Sequence, residues 1–202
     1  MLSSLVKPLR NANSPDCARD FFAENLGKIA ALASKNPEAA RRAIASASME
    51  ARPLWRNLLL VACGEGAALA PALAALEDEA PENEEALADC VAMVAMARPL
   101  EGRFIAKHAV RFIGPRAQVR MMESLVDSTA PGSKKLVGEL FETMMERSAP
   151  RERIEVLYPS IERIAFKEIK GKSPGRGFLG VLYRGWLSET QAISLSVPTL
   201  IA

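Results

Sequence analysis

Apolar positions along the chain recur with the period of an α-helix. Between residues 133 and 147, Leu136, Leu140 and Met144 lie one helical turn apart, while Lys135 and Glu139 occupy the opposite side. Side chains spaced by three and four residues share one face of a helix, so this pattern predicts an amphipathic helix with one buried side. No pair of segments combines a period of two with the tight turn that predicts a β-hairpin.

Prolines mark where the helices begin. Proline is tolerated in the first helical turn because its missing N–H would have no partner there, and several consecutive prolines stand 16 to 19 residues apart. Ser14 and Asn36 directly precede prolines and can accept first-turn N–H groups as N-caps. These signals predict nine helices, near residues 15–34, 37–47, 53–63, 67–79, 83–97, 101–113, 115–128, 133–147 and 151–170.

The predicted fold is all-α, with consecutive helices arranged as antiparallel hairpins. One pair of helices fills about 34 residues, which by spacing alone is typical of a short solenoid-like array of the HEAT or tetratricopeptide kind. No repeat consensus is legible, so an irregular helical bundle is the alternative. We expect a flexible N-terminal segment over residues 1–13 and a helical domain over 14–170. Residues 171–202 are expected to form a glycine-rich basic loop and an apolar tail that packs on the domain or on a partner.

Composition narrows the class of protein. Apolar residues make up 49% of the chain and charged residues 25%, with a net charge of +2, which indicates a folded globular chain. No run of about 18 apolar residues predicts a membrane span, and no secretory signal is recognisable. We therefore expect a cytoplasmic protein, with non-classical secretion left open. Cys17, Cys63 and Cys90 are too far apart to form a metal-binding pair, and reduced thiols are expected.

The strongest candidate binding feature is a basic ridge on two consecutive helices, whose cations recur at four-residue intervals within each helix. It comprises Arg103, Lys107, Arg111, Arg116 and Arg120. No acidic residue occurs from residue 102 to residue 122, so the ridge has no counter-charge nearby in sequence and would attract phosphates or an acidic protein surface. The alternative is a solvated face on which Arg120 pairs with Glu123 or Ser124.

Two further charged clusters are candidate binding surfaces. The acidic patch comprises Glu77, Asp78, Glu79, Glu82, Glu84 and Glu85. Carboxylates are favoured at helix N-termini, so helix electrostatics alone explain the patch, and docking of a basic partner is the alternative. The basic loop comprises Lys170, Lys172 and Arg176. It is either solvated or in contact with phosphate or acidic lipid.

No catalytic or cofactor-binding motif is recognisable. His108 is the single histidine, and helical geometry places it in an apolar arc with Phe104, Ile105, Ala109 and Phe112. Such a histidine is expected to be buried and hydrogen-bonded rather than to act as a ligand or base. No metal-ligand spacing or nucleotide-binding loop is present, so we expect no metal, no cofactor and no catalytic residue.

A non-enzymatic role is therefore the leading hypothesis. Helical hairpins with opposed charged surfaces are typical of protein–protein interaction modules, here an adaptor, a regulator or an effector-like binding protein. The alternative is a helical-repeat protein that binds nucleic acid through phosphate contacts on the basic ridge, where about five contacts predict a salt slope of roughly −4 to −5. An enzyme with a site built from scattered carboxylates is the third hypothesis. Oligomerisation through the apolar tail is a further hypothesis about partners.

Overall fold

The protein is all-α, which confirms the predicted fold class. The structure, a computed structural model, describes residues 2–11, 14–47, 51–78, 83–130 and 132–147. Within these ranges the chain forms nine α-helices and two short 3₁₀ turns, and no β-strand. The helices are α1 Leu2–Val6, α2 Pro15–Lys35, α3 Pro37–Ala47, α4 Pro53–Ala62, α5 Leu69–Asp78, α6 Glu84–Ala97, α7 Pro99–Ala109, α8 Pro115–Val126 and α9 Ser133–Arg147. The predicted helix over 151–170 and the tail over 171–202 lie outside the described residues.

Helices α2 and α3 begin at the predicted N-caps. Ser14 Oγ accepts the backbone N–H of Cys17 at 3.3 Å, and Asn36 Oδ1 accepts the N–H of Ala39 at 3.1 Å. Each bond satisfies a first-turn donor that has no partner within its own helix. The proline and N-cap signals therefore locate the starts of α2 and α3 correctly.

The N-terminal residues lie against the helical domain, while the flexibility expected over residues 1–13 stays a prediction. Leu2–Val6 forms α1, which contacts α2 and α3. Val6 and Leu9 are fully buried in the core. Burial of an apolar side chain of this size stabilises a fold by about 1.5–3 kcal/mol. These two residues therefore anchor the segment to the helical domain.

Helix α6 lies at the centre of the core. It contacts α2, α4, α7 and α8, and Leu87, Ala88 and Cys90, which point in different directions around the helix, are fully buried. A helix that is apolar on all sides is typical of such a position. Among the described helices, none is both long and apolar enough to cross a membrane.

The arrangement of the helices does not establish a regular solenoid. In a solenoid, each repeat contacts its neighbours in sequence. Here α2 packs extensively against α6, although α3, α4 and α5 lie between them in the chain. The all-α class is thus confirmed, while the repeat arrangement stays a prediction.

Helices α6 and α7 cross in close contact at Gly102. A Cβ atom at this position would lie 2.3 Å from the Cα of Ala95, far inside the separation of about 3.5–4.0 Å at which carbon atoms pack. Gly102 is buried with Ile105 and Ala106 on the same side of α7. The opposite side of α7 is consequently turned to solvent.

Candidate protein-binding surface

The solvent side of α7 carries two large apolar side chains. Leu100 is 77% exposed and Phe104 is 60% exposed, and among the described residues they stand out as the exposed large apolar side chains. They are one helical turn apart, with Arg103 and Lys107 beside them. We call these four residues the α7 face.

The prediction that Phe104 belongs to a buried arc with His108 is wrong. Ile105 and Ala109 of that arc are fully buried, but Phe104 lies one residue, about 100°, further around the helix. The sequence pattern did not reveal that Gly102 lies against Ala95 of α6. With Gly102 inside, Phe104 is placed on the outer side.

A groove between α7 and α9 adjoins the α7 face. Its volume is about 300 Å³, and most of its surface is apolar. The side chains that define it include Pro99, Leu100 and Arg103 from α7 and Ser133, Leu136 and Glu139 from α9. Neither His108 nor a cysteine lines it. We call this feature the α7–α9 groove, and its volume is sufficient for an apolar side chain.

Two residues of the basic ridge are held by a carboxylate on α9. Arg103 Nε donates to Glu139 Oε2 at 2.7 Å, and Lys107 Nζ lies 3.6 Å from the same oxygen. The side chain of Glu139 is 17% exposed, so the carboxylate shared by the two cations is largely shielded from solvent. One carboxylate shared by two cations leaves the rim of the groove positively charged.

The next two residues of the basic ridge are exposed and lie around the α7–α8 turn. Arg111 follows the end of α7, and Arg116 is in the first turn of α8. No ion pair is found for either guanidinium within the described ranges. They are thus the cations of the ridge whose charge is least compensated.

The fifth residue of the basic ridge, Arg120, points to α6. Its Nε and Nη2 donate to the carboxylate of Asp89 at 2.7–2.9 Å, and its Nη1 donates to Glu85 at 3.0 Å. The hydrogen bonds to Asp89 raise the pKa of Arg120 above its ordinary value. The sequence pointed to Glu123 or Ser124 on the same helix, whereas the bidentate partner comes from α6. The five cations therefore do not form one uncompensated ridge, and their role in binding stays a prediction.

The acidic patch is divided among different contacts. Glu84 Oε2 accepts the backbone N–H of Gly114 at 2.6 Å, and Glu85 pairs with Arg120, so both tie α6 to α8. Glu77 and Asp78 lie exposed at the end of α5. Glu79 and Glu82 are outside the described residues, as are Lys170, Lys172 and Arg176 of the basic loop. Docking of a basic partner on this patch stays a prediction.

His108 is half-buried between α5 and the end of α7. Its Nε2 is 2.9 Å from Glu77 Oε1, but the oxygen lies off the direction required for a hydrogen bond. The imidazole packs against Phe112 with ring centroids 5.2 Å apart. This is a packed side chain beside an exposed carboxylate, and the hydrogen bond expected from the sequence is not formed.

The thiols occupy different environments. Burial raises the pKa of Cys63 to about 12 and also raises the pKa of Cys90, while Cys17 is exposed on α2. A protonated thiol is a poor nucleophile, because the thiolate is the reactive form. Within the part of the chain that is described, no three His, Cys, Asp or Glu residues are grouped to hold a metal ion.

The α7 face and the α7–α9 groove thus combine exposed apolar side chains with an excess of positive charge. No family model matches the sequence, and no curated protein or solved structure matches the chain.

Proposed function

We propose that the protein is a non-enzymatic helical interaction module that binds another protein through the α7 face and the α7–α9 groove. The observation that carries this proposal is the exposure of Leu100 and Phe104, at 77% and 60%. An adaptor, a regulator or an effector-like binding protein would each use such a surface.

Three properties support a binding role for this surface. The first is that a leucine and an aromatic residue are exposed one helical turn apart, whereas single exposed apolar residues are ordinary on soluble proteins. The second is the apolar groove that lies beside them. A few central residues, most often aromatic residues and arginine packed in pockets, carry most of the free energy of protein association. The third property is the rim of Arg103 and Lys107, which excludes partners of the wrong charge.

The contacts of the basic ridge weigh against the nucleic-acid alternative. Arg103, Lys107 and Arg120 already bind carboxylates, which leaves Arg111 and Arg116 for phosphate. Two phosphate contacts would give a log–log slope of affinity against salt of only about −2, compared with roughly −4 to −5 for five. A measured slope near −5 with RNA or DNA would favour that alternative over a protein partner.

The test is a comparison of affinity capture between two double variants of the full chain. Leu100→Ser with Phe104→Ser removes the apolar side chains of the α7 face. Lys28→Ser with Arg42→Ser is the matched control, because it removes two exposed side chains from α2 and α3. We expect a protein from the native lysate to be retained by the wild-type and control chains. It should not be retained by the Leu100→Ser, Phe104→Ser double variant, which we call the α7 variant.

The captured protein is then purified and its binding to each variant measured directly by calorimetry. A saturable complex that weakens at least about tenfold with the α7 variant supports the proposal. Equal binding by the α7 variant and the control would show that the surface lies elsewhere.

A further inference from the structure

We infer that the α7 face and the α7–α9 groove receive an acidic, amphipathic helix from another protein. This inference rests on the proposed function, because it names the partner class of the same surface. It is supported by the charge of the surface, by its shape, and by the poor fit of the other occupants.

The charge around the groove favours a partner that carries carboxylates. Arg103, Lys107, Arg111 and Lys135 lie on α7, just after it, or on α9, and the carboxylate that faces Arg103 and Lys107 is Glu139. Arg111 and Lys135 are exposed, and neither forms an ion pair with another described residue. Carboxylates on a partner would be steered to this excess of cations and oriented by it.

The shape of the surface favours a helix. Helix α7 has 11 residues, which makes it about 16 Å long, and Leu100 and Phe104 are about 6 Å apart along it. A partner helix presents apolar side chains at the same interval of one turn, so one can enter the groove while the next packs on Phe104. Binding as an added β-strand needs a free sheet edge, and the described ranges contain no strand.

The remainder of this chain is a poor occupant of the surface. Residues 151–202 contain eight Lys or Arg and five Glu, a net charge of +3. The eight cations all lie between residues 151 and 184, and they would be repelled by the cations around the groove. Residues 187–202 carry Glu189 as their one charged side chain, so this tail offers a single carboxylate to four cations. A second copy that used the same face would place those cations against their own counterparts, since a two-fold interface pairs each patch with itself. An acidic segment of a different protein is the occupant that satisfies both the charge and the apolar residues.

The experiment uses the full chain and two synthetic peptides of about 18 residues, each labelled for fluorescence anisotropy. Both peptides carry leucine at intervals of three and four residues along one helical face. The acidic peptide has Glu at its flanking positions, and the basic peptide has Lys at the same positions. We expect the acidic peptide to bind at least about tenfold more tightly, with an affinity that falls as salt screens the charges.

Two charge variants locate the binding site. Arg111→Glu with Lys135→Glu reverses one cation that lines the groove, Lys135, and one that lies just after α7, without breaking an ion pair between described residues. It should remove or invert the preference for the acidic peptide. Lys28→Glu with Arg42→Glu changes the net charge by the same amount on α2 and α3, and it should leave the preference unchanged. Leu100→Ser with Phe104→Ser should lower the affinity for both peptides by about tenfold or more.

The outcomes separate this inference from the proposed function. Equal binding of the two peptides, no binding of either, or the same loss of preference in both charge variants would overturn the acidic-helix inference. Sedimentation that shows a concentration-dependent dimer abolished by Leu100→Ser with Phe104→Ser would overturn it in favour of a second copy. In each of these cases, a lysate protein captured through the α7 face would still support the proposed function. Failure of the proposed function would be seen in the capture experiment and not in the peptide experiment.

Discussion

Helices α6 and α7 are neighbours in sequence and in space, yet their apolar residues differ in exposure to solvent. On α6, the apolar side chains of Leu87, Ala88 and Cys90 are fully buried on several sides of the helix. On α7, Gly102 and Ile105 face the core, while Leu100 and Phe104 face solvent. Burial explains why α6 is apolar, but it does not explain why α7 places a leucine and a phenylalanine outside.

The difference separates residues that stabilise the fold from residues that are available for binding. A buried leucine contributes to the free energy of unfolding, whereas an exposed one does so very little. Leu100 and Phe104 can therefore be replaced to test binding without disturbing the fold. The stability of four matched pairs of variants tests this separation.

The largest expected contrast is between two leucines. Leu87→Ala on α6 should lower the free energy of unfolding by about 2–5 kcal/mol, because it removes buried methyl groups and leaves a cavity. Leu100→Ala on α7 should change it by no more than about 0.5 kcal/mol. Chemical denaturation monitored by circular dichroism measures both. A comparable loss in Leu100→Ala would mean that this side chain belongs to the core.

The next contrast is between two glycines. Gly102→Ala should destabilise the protein by about 1–3 kcal/mol, since the added Cβ would meet Ala95 at 2.3 Å and force α7 away from α6. Gly27→Ala on α2 meets nothing within 4 Å, and it should stabilise by about 0.5–1 kcal/mol through helix propensity. The same denaturation measurement applies. Loss of stability in Gly27→Ala, or none in Gly102→Ala, would contradict the helix crossing described above.

A smaller effect is expected at the ion pair between α8 and α6. Arg120→Ala leaves Asp89, whose side chain is 15% exposed, without its bidentate partner, and should cost about 1–3 kcal/mol. Arg116→Ala, on the same helix but exposed, should be nearly neutral. The double variant with Asp89→Ala should lose less than the two single changes together. If the losses of the two single variants add exactly in the double variant, Arg120 and Asp89 do not stabilise the fold through their mutual interaction.

The smallest effect concerns Glu101 at the start of α7. The hydrogen bond from Arg98 lowers the pKa of Glu101 below its ordinary value. A carboxyl with a lowered folded pKa adds stability above the unfolded pKa of about 4.3, and this stability disappears as the pH falls through the folded pKa. The advantage of wild type over Glu101→Gln should be under about 1 kcal/mol at pH 7 and shrink progressively as the pH falls below about 4.3.

The control for this titration is Glu142→Gln, an exposed residue of α9. No ion pair of Glu142 is found in the described part of the chain, so the difference from wild type should stay near zero throughout. A Glu101→Gln difference that persists unchanged at pH 3 would show that the hydrogen bond to Arg98 is not its cause.

Most helix boundaries could be predicted because their signals are local. Pro15 and Pro37 follow capping residues, and the observed α2 and α3 begin at those prolines. The start of α7 was missed by two residues, although Pro99 carried the same signal. Packing was harder to predict, since the contact of α2 with α6 joins segments that are far apart in the chain.

The candidate site was predictable only in part. The cations Arg103 and Lys107 could be identified from their spacing, but the assignment of Phe104 to the core failed because sequence does not show which side of α7 meets α6. The partner of Arg120 was also hidden, because Asp89 lies 31 residues away. Asp89, a carboxylate flanked by apolar residues of α6, was the signal that could have indicated a cationic partner on another helix.

The turn between α7 and α8 is held by side chains from α8 and α6. Gln118 donates to the carbonyl oxygens of Val110 and Ile113 at 2.8 Å each, and Glu84 accepts the N–H of Gly114. The backbone that ends α7 and begins α8 is therefore ordered before any partner arrives. A preorganised surface loses little conformational entropy on association, so the proposed partner would not have to order this backbone on binding.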